Sequence, residues 1–422
     1  MKRTGIVLSV LALSLIGASA IGVWQAEREG SDSAASPSPP ADQLARGAYL
    51  AKAGNCAGCH TARGGATYAG GRELPTPFGT FVTPNITPDR DKGIGQWTAQ
   101  DFWRAMHHGK GRDGRPLYPA FPYTEYTKVT REDSDAIFAY LQTVAPANQG
   151  VATNRLDFPY NLRPLLYVWR ALYFRPGVYQ PTKAQSDEWN RGAYLVQGLG
   201  HCNACHATRN ALGAVGGAAL GGGQVAGRSW YAPSLTSMAE AGSGERNVDE
   251  TARLLSTGIA GNSAAAGPMA EVIAQSLQHL SATDVRAMAV YLQSISVAAK
   301  STPASTDLSS EAKLRINKGA AIYERHCEDC HGASGEGAPG IYPALAGNRG
   351  VTTASPLNTI RSVMDGGFTP VTATNPRPYG MPPFGHALSN EEVAQVVSFI
   401  RNSWGNRASV VTAVQVDRSG SD

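Results

Sequence analysis

The 422-residue sequence has no cysteine to spare: all six stand in three five-residue stretches, Cys56-Ala57-Gly58-Cys59-His60, Cys202-Asn203-Ala204-Cys205-His206 and Cys327-Glu328-Asp329-Cys330-His331. With none left over, structural disulfides are excluded. A dinucleotide fingerprint is missing too, because the glycine-rich stretch Gly213 to Gly227 lacks the strand-turn-helix context that would make it one. Past the N-terminus no apolar run is long enough to span a bilayer: Val393 to Ile400 is too short, and the tail after Trp404 is polar. Neither sign of charge predominates. The formal net charge of +4 includes Lys2 and Arg3 of the leader, so it says little about partners, and no nucleic-acid partner is expected.

The N-terminus has what the rest lacks. Lys2 and Arg3 precede an uncharged stretch from Gly5 to Trp24 that contains Ala18-Ser19-Ala20, the basic region, apolar region and small-residue site of an export signal. Residues 1–24 are therefore a signal peptide cleaved after Ala20, or an uncleaved anchor, since twenty uncharged residues also suffice to span a bilayer. Residues 25–42, rich in Ser, Ala and Pro from Ser31 to Pro40, read as a flexible tether. Both readings of the leader place the remainder on the periplasmic side of a bacterial inner membrane.

Each cysteine stretch is a Cys-x-x-Cys-His pentad, the attachment signature of c-type haem: two thiols bond to the porphyrin vinyl groups and the adjacent imidazole ligates iron. The spacing suits this because thiols three residues apart on a helical turn share a face. Structural zinc needs four ligands per ion, usually from paired clusters, yet each pair here stands more than a hundred residues from the next. A thioredoxin-like dithiol has no need of a following His three times over. The expected cofactors are three covalently bound haem c groups with their iron, attached through Cys56 and Cys59, Cys202 and Cys205, and Cys327 and Cys330. The expected proximal ligands are His60, His206 and His331.

A phrase recurs before every pentad: Arg46-Gly47-Ala48-Tyr49-Leu50, Arg191-Gly192-Ala193-Tyr194-Leu195 and Lys318-Gly319-Ala320-Ala321-Ile322. Each unit also closes on an apolar helical run, Ala136 to Leu141, Ala287 to Leu292 and Val393 to Ile400. Thr130, Ser281 and Ser389 start these runs, followed three residues on by Asp133, Asp284 and Glu392, a capping pattern. Self-similarity at this period predicts a mainly α, loop-rich chain of three tandem cytochrome c domains, each wrapped around one covalent haem. Their bounds are 43–147, 186–297 and 310–405, with linkers at 148–185 and 298–309 and a tail at 406–422. The first linker carries Leu162, Leu165, Leu166, Trp169, Leu172 and Tyr173 at helical spacing, opposite Arg163, Tyr167 and Arg170. It reads as a helix packed between domains, or as an aromatic and basic patch for a partner subunit or a membrane surface.

Over nearly the whole mature chain the sequence resembles the three-haem cytochrome c subunits of periplasmic membrane-bound dehydrogenases. The resemblance rests on Thr83-Pro84-Asn85-Ile86-Thr87-Pro88-Asp89, Asp113-Gly114-Arg115-Pro116-Leu117-Tyr118-Pro119-Ala120, Trp169-Arg170-Ala171-Leu172 and Gly200-His201-Cys202-Asn203-Ala204-Cys205-His206. It implies a large catalytic dehydrogenase subunit as partner, of the pyrroloquinoline-quinone, flavin or molybdenum type, and a quinone or terminal oxidase as acceptor in association with the membrane.

An electron-transfer haem with Met/His coordination has a raised potential. Met381, in Tyr379-Gly380-Met381-Pro382-Pro383-Phe384, and Met269, in Gly267-Pro268-Met269, are the expected distal ligands of the third and second sites, each in a loop beside proline. The first unit breaks the pattern by placing Phe121 at the aligned position, 61 residues after His60. Candidates for its distal ligand are His108, His107 and Met106, on a helix that Thr98 and Asp101 would cap. Aligning Gly109, Gly258 and Gly366 puts Met106 opposite Leu255 and Val363, which favours packing, and puts both histidines at positions that read as exposed. The same alignment stacks Arg104, Arg253 and Arg361, which either neutralise a haem propionate or stay solvated. Another alignment stacks Pro84, Pro233 and Pro343, whose turns are expected to supply carbonyls for the second nitrogen of each ligating histidine. Gly213 to Gly227 then reads as a haem-edge loop.

With two sites saturated and three in series, the expected function is an electron relay from a periplasmic dehydrogenase to a respiratory acceptor, without an autonomous substrate-oxidising site. The alternatives are a first haem left open by Phe121 for peroxide or another small molecule, and a free-standing carrier.

Overall fold

The computed structural model describes residues 39–227, 229–242, 247–297 and 308–420. The leader, nearly all of the tether and most of the second linker lie outside them. Ala41–Ala53 (α1) opens the described part as a helix, so the last tether residues are already structured.

After α1 come the short pentad helix Cys56–His60, an antiparallel ribbon of Glu73–Thr76 and Gly79–Val82, α2 (Ala99–His108) and α3 (Arg131–Leu141). Arg155–Leu156 adds a third strand to the ribbon, and α4 (Leu165–Tyr173) lies in the linker. The next stretch holds α5 (Asp187–Gln197), a 3-10 turn at Cys202–Ala204, α6 (Val248–Thr257), α7 (Gly267–Gln275) and α8 (Ala282–Ser294). The last holds α9 (Ser310–His326), the turn Glu328–His331, α10 (Leu357–Asp365), α11 (Asn390–Asn402) and α12 (Ala413–Gly420).

The helix starts follow the expected caps. Thr130, Ser281 and Ser389 accept from the backbone N–H of Asp133, Asp284 and Glu392, and Thr98 with Asp101 forms a reciprocal capping box. The stops are equally regular. Gly109, Gly258 and Gly366 follow α2, α6 and α10 with φ of 56°, 78° and 66°, where a glycine ends the helix at low steric cost.

The recurring glycine before each pentad has a packing reason. The first and last helices of each unit cross, α1 on α3, α5 on α8 and α9 on α11. A methyl group at Gly47 would lie 1.9 Å from the carbonyl oxygen of Ala136, at Gly192 1.9 Å from that of Ala287, and at Gly319 2.1 Å from that of Gln395. Backbone meets backbone at all three crossings, so no side chain fits.

Three apolar clusters form the core. The first includes Leu50, Phe102, Met106, Tyr126 and Ile137; the second Leu195, Ile273, Met288 and Leu292; the third Tyr323, Ile360, Val363, Val396 and Ile400. Leu199, from the chain between α5 and the second pentad, is buried in the first cluster, so the first two units share a core contact. The tail departs from its polar reading. Val411 and Val416 are fully buried in the third cluster, and Arg401, also fully buried, donates to the carbonyls of Val351, Thr353 and Ser409 at 2.5, 3.0 and 3.1 Å.

The linker helix packs between the first two units, with Leu166 buried, Trp169 against Tyr123 and its Nε1 donating to Leu212 O at 2.8 Å, yet part of its apolar face points outward. Leu162, Leu165, Val168 and Leu172 are exposed, while Arg163 stacks on Tyr118 and Arg170 on Tyr123 and Phe174. Among the described residues no helix is long and apolar enough to cross a membrane.

Candidate haem-binding sites

Each pentad begins a turn that puts both thiols and the histidine on one side. The backbone N–H of His206 donates to Cys202 O and that of His331 to Cys327 O, both at 2.9 Å. Burial pushes the thiols of Cys56 and Cys202 up to about 12 and that of Cys327 to about 11.

The histidines are held alike. Nδ1 of His60 bonds the carbonyl of Pro84 at 2.8 Å, that of His206 the carbonyl of Pro233 at 2.7 Å and that of His331 the carbonyl of Pro343 at 2.9 Å. The expected proline carbonyls are thus found in all three units. With Nδ1 committed, Nε2 is the nitrogen left to ligate, and the bond fixes ring orientation and basicity. Burial lowers the pKa of each imidazole against a partial opposing effect of the proline bond, which keeps the ring neutral as a ligand must be. Paired thiols, an oriented neutral imidazole and an apolar cluster against each pentad fit a covalent haem.

A glycine completes each arrangement, and no motif in the sequence points to it. The N–H groups of Gly70, Gly222 and Gly337 donate to the carbonyls of His60, His206 and His331 at 2.8, 3.0 and 2.8 Å. Their φ values are 74°, 82° and 64°, and a methyl group would meet Pro84 C at 2.5 Å, Ser234 N at 2.7 Å or Pro343 C at 2.8 Å. Only glycine lets the proline turn come this close to the histidine. The glycines follow their histidines by 10, 16 and 6 residues, a variable offset that hides them from motif reading.

Cys202 and Met269 pack against one apolar cluster and Cys327 and Met381 against another. Met381 pairs with Gly367 in a short ribbon. Met269 does not stand in a loop: Gly267 and Pro268 open α7, and proline suits that first turn because its missing N–H has no helical partner there. In the first unit Cys56, Phe121 and Met106 pack together. Met106 takes the place that Leu255 and Val363 take in the other clusters, as the repeat alignment implies. The reading of both histidines as exposed is corrected: His107 is buried, stacked on Trp103 at 4.4 Å and 3.4 Å from the Thr127 hydroxyl, and His108 is half-buried. Their helix turns these positions against the Tyr123–Tyr126 segment. Of the stacked arginines, Arg104 pairs with Asp101 and Arg361 with Asp365, whereas Arg253 is exposed. The expected haem-edge loop carries the strand Gly223–Gln224, paired with Tyr231–Ala232.

The first two pentads face each other's units. Arg72 bonds Gly58 O inside the first pentad and pairs with Glu271 of α7. In return, Asn203 inside the second pentad reaches Glu125 of the first unit at 3.5 Å. The third unit joins the second through Asn358, which bonds both backbone groups of Tyr231 at 2.7 and 2.8 Å.

A helix-rich fold carrying thiol-pair and histidine stations of this kind defines a c-type cytochrome. A profile of the cytochrome c family matches residues 44–145 and 316–404, leaving the second pentad outside the matches. The chain is 38% identical over 388 residues to the gluconate 2-dehydrogenase cytochrome c subunit of Pantoea cypripedii, covering 88% of each. It is 38% identical over 381 residues to the cytochrome c subunit of the alcohol dehydrogenase (quinone) of Gluconobacter oxydans, covering 86% of this chain and 79% of that one. It is also 41% identical over 368 residues to one of the subunits of the nicotinate dehydrogenase of Pseudomonas putida, covering 86% of this chain but only 30% of that longer protein. The chain belongs to the cytochrome c subunits of dehydrogenases, and electron transfer is its function.

Proposed function

We propose that the chain carries three haem c groups and relays electrons from a catalytic dehydrogenase subunit to a quinone of the membrane, on the periplasmic side. The observation that carries this reading is the threefold recurrence of one arrangement: a thiol pair and a histidine whose Nδ1 is committed to a proline carbonyl. Bound haem supplies one-electron iron chemistry whose potential depends on the axial ligands and their surroundings. The protein's part is to orient each imidazole, to offer Met269 and Met381 at the second and third sites, and to keep the reacting groups apart from water. Phe121 offers no ligand, so the first site is the lower-potential end of the relay. The donor is a dehydrogenase of the kind the relatives are named for, acting on an alcohol, a sugar acid or nicotinate.

Haem and iron quantification on the purified chain tests the first half, with three c-type haems per polypeptide expected and two overturning it. Mixing with the dehydrogenase subunit and its substrate tests the second. The haem bands are expected to reduce and then to reoxidise when a short-chain quinone is added.

A further inference from the structure

The linker helix packs on one side, through Leu166 and Trp169, and leaves the other side uncovered among the described residues. Phe158 is 78% and Leu172 62% exposed, and Leu162, Leu165 and Val168 stand out beside them at successive helical turns. Large apolar groups gathered this way on a soluble face mark a contact surface. Tyr160 and Tyr173 are exposed as well, and Tyr167 is exposed on the opposite side. From Phe158 to Ser186 there is no Asp or Glu, while Arg163, Arg170, Arg175 and Lys183 are present.

Two features select the occupant. Arg163 and Arg170 are turned onto Tyr118 and Tyr123, but Arg175 and Lys183 are exposed in a stretch of 29 residues without Asp or Glu, a charge that complements an anionic surface. Leu and Tyr on one face with basic residues along the segment is the composition of a helix lying in a membrane interface, and nine residues are too few to cross one. Behind the helix, Trp169 and Tyr173 wall a cavity of about 200 Å³ with Thr124, Glu125, Asn203 and Arg209. Asn203 belongs to the second pentad, while Cys202, Cys205, His206 and Met269 are not among the lining residues, so the cavity is separate from the haem crevice.

We propose that the segment from Phe158 to Phe174 lies flat in the headgroup region of an anionic bilayer and brings the second pentad to the membrane. This rests on the reading of the chain as an electron donor to membrane quinone.

The test uses the full-length haem-loaded protein with vesicles of phosphatidylcholine, with and without phosphatidylglycerol, some carrying brominated acyl chains. A fluorophore on L172C is compared with one on V414C, an exposed position on α12. Quenching by brominated lipid several-fold stronger at position 172, and dependent on the anionic lipid, is expected. Absent quenching at 172, or equal quenching at both positions, overturns the proposal. Because the label reports depth at the linker, anchorage elsewhere in the chain does not imitate it. The L165E/V168E/L172E variant is expected to bind anionic vesicles at least tenfold less, with its haem spectrum intact. A variant that keeps vesicle binding but no longer co-elutes with the dehydrogenase subunit shows a protein interface and overturns the proposal. Electron uptake from the dehydrogenase in detergent, with ferricyanide as acceptor, tests the functional reading separately.

Discussion

The Tyr49 hydroxyl donates to Asp284 at 2.6 Å across the boundary between the first two units, and Tyr194 returns the contact to Asp133 at 2.5 Å. The exchange is reciprocal throughout. Thr130 N donates to the Tyr194 hydroxyl and Ser281 N to that of Tyr49, while Arg46 pairs with Asp133 and Arg191 with Asp284 inside their own units. The caps of α3 and α8 thereby become the clasp between the two units. The third unit has Ala321 in place of the tyrosine and Glu392 in place of the aspartate, and it docks by other residues.

Breaking one half of the clasp loosens the first two units and spares the third. Burial raises the Asp284 pKa, but hydrogen bonds from Arg191 and Tyr49 together with the Arg191 and Arg46 charges outweigh it and hold the carboxyl below its usual value. A carboxylate whose folded value is depressed contributes stability above its unfolded value and loses it as the pH falls through the folded one. The contribution is therefore full at neutral pH and disappears below about pH 4. D284N is expected to cost about 2 kcal/mol at pH 7 and much less at acid pH, with Y49F costing about 1. Calorimetry resolving separate transitions checks this, and an equal drop in every transition would show a global effect instead.

The axial ligands make the second prediction. M269A and M381A should each lose one sulfur-to-iron charge-transfer signature and lower one midpoint potential, since thioether ligation raises it. F121M should do the reverse at the first site, because residue 121 packs against the same cluster as Cys56, as Met269 packs against the same cluster as Cys202. A redox titration in which F121M leaves all three potentials unchanged would separate residue 121 from the iron.

The repeat makes the pentads, the helix caps and the proline turns legible, because each rests on local chemistry that recurs in all three units. Orientation of surfaces is not legible in this way. Leu162, Leu165 and Leu172 of the linker face outward against the rule that apolar stripes face a core, since Arg163 and Arg170 gain more by stacking on Tyr118 and Tyr123. His107 escapes the repeat comparison because its burial comes from Thr127, beyond the aligned helix, and from Trp103, where the other units have Ala252 and Ile360. The clasp does leave a trace. Tyr49 and Tyr194 stand in the recurring phrase, and their replacement by Ala321 marks which two units join.

The glycines behind the histidines make the third prediction. A methyl group at Gly222 meets Ser234 N and forces a residue with φ of 82° into strain, so the turn carrying the Pro233 carbonyl must retreat from His206. A weakened Nδ1 bond makes the imidazole a poorer donor to iron, which disfavours the ferric form and raises the potential. G222A is expected to raise one midpoint potential at unchanged haem content, whereas G177A, with open space around it, should change none. Identical titrations for G222A and the parent protein would refute the link between this glycine and the ligand.

Arg401 supports the last prediction. It is fully buried, desolvation pulls its pKa down to about 10, and its guanidinium ties the carbonyls of Val351, Thr353 and Ser409 to α11. Those carbonyls belong to the chain before α10 and to the tail, so one side chain closes the third unit from both ends. Substitution leaves the buried Val351 and Thr353 carbonyls without this donor, at roughly 1–3 kcal/mol each. Lysine keeps the charge but not the planar fork, so R401K should destabilise the third unit nearly as much as R401M. The measurement is the thermal transition of the third unit, and full retention of stability in R401K would show that charge alone suffices at this site.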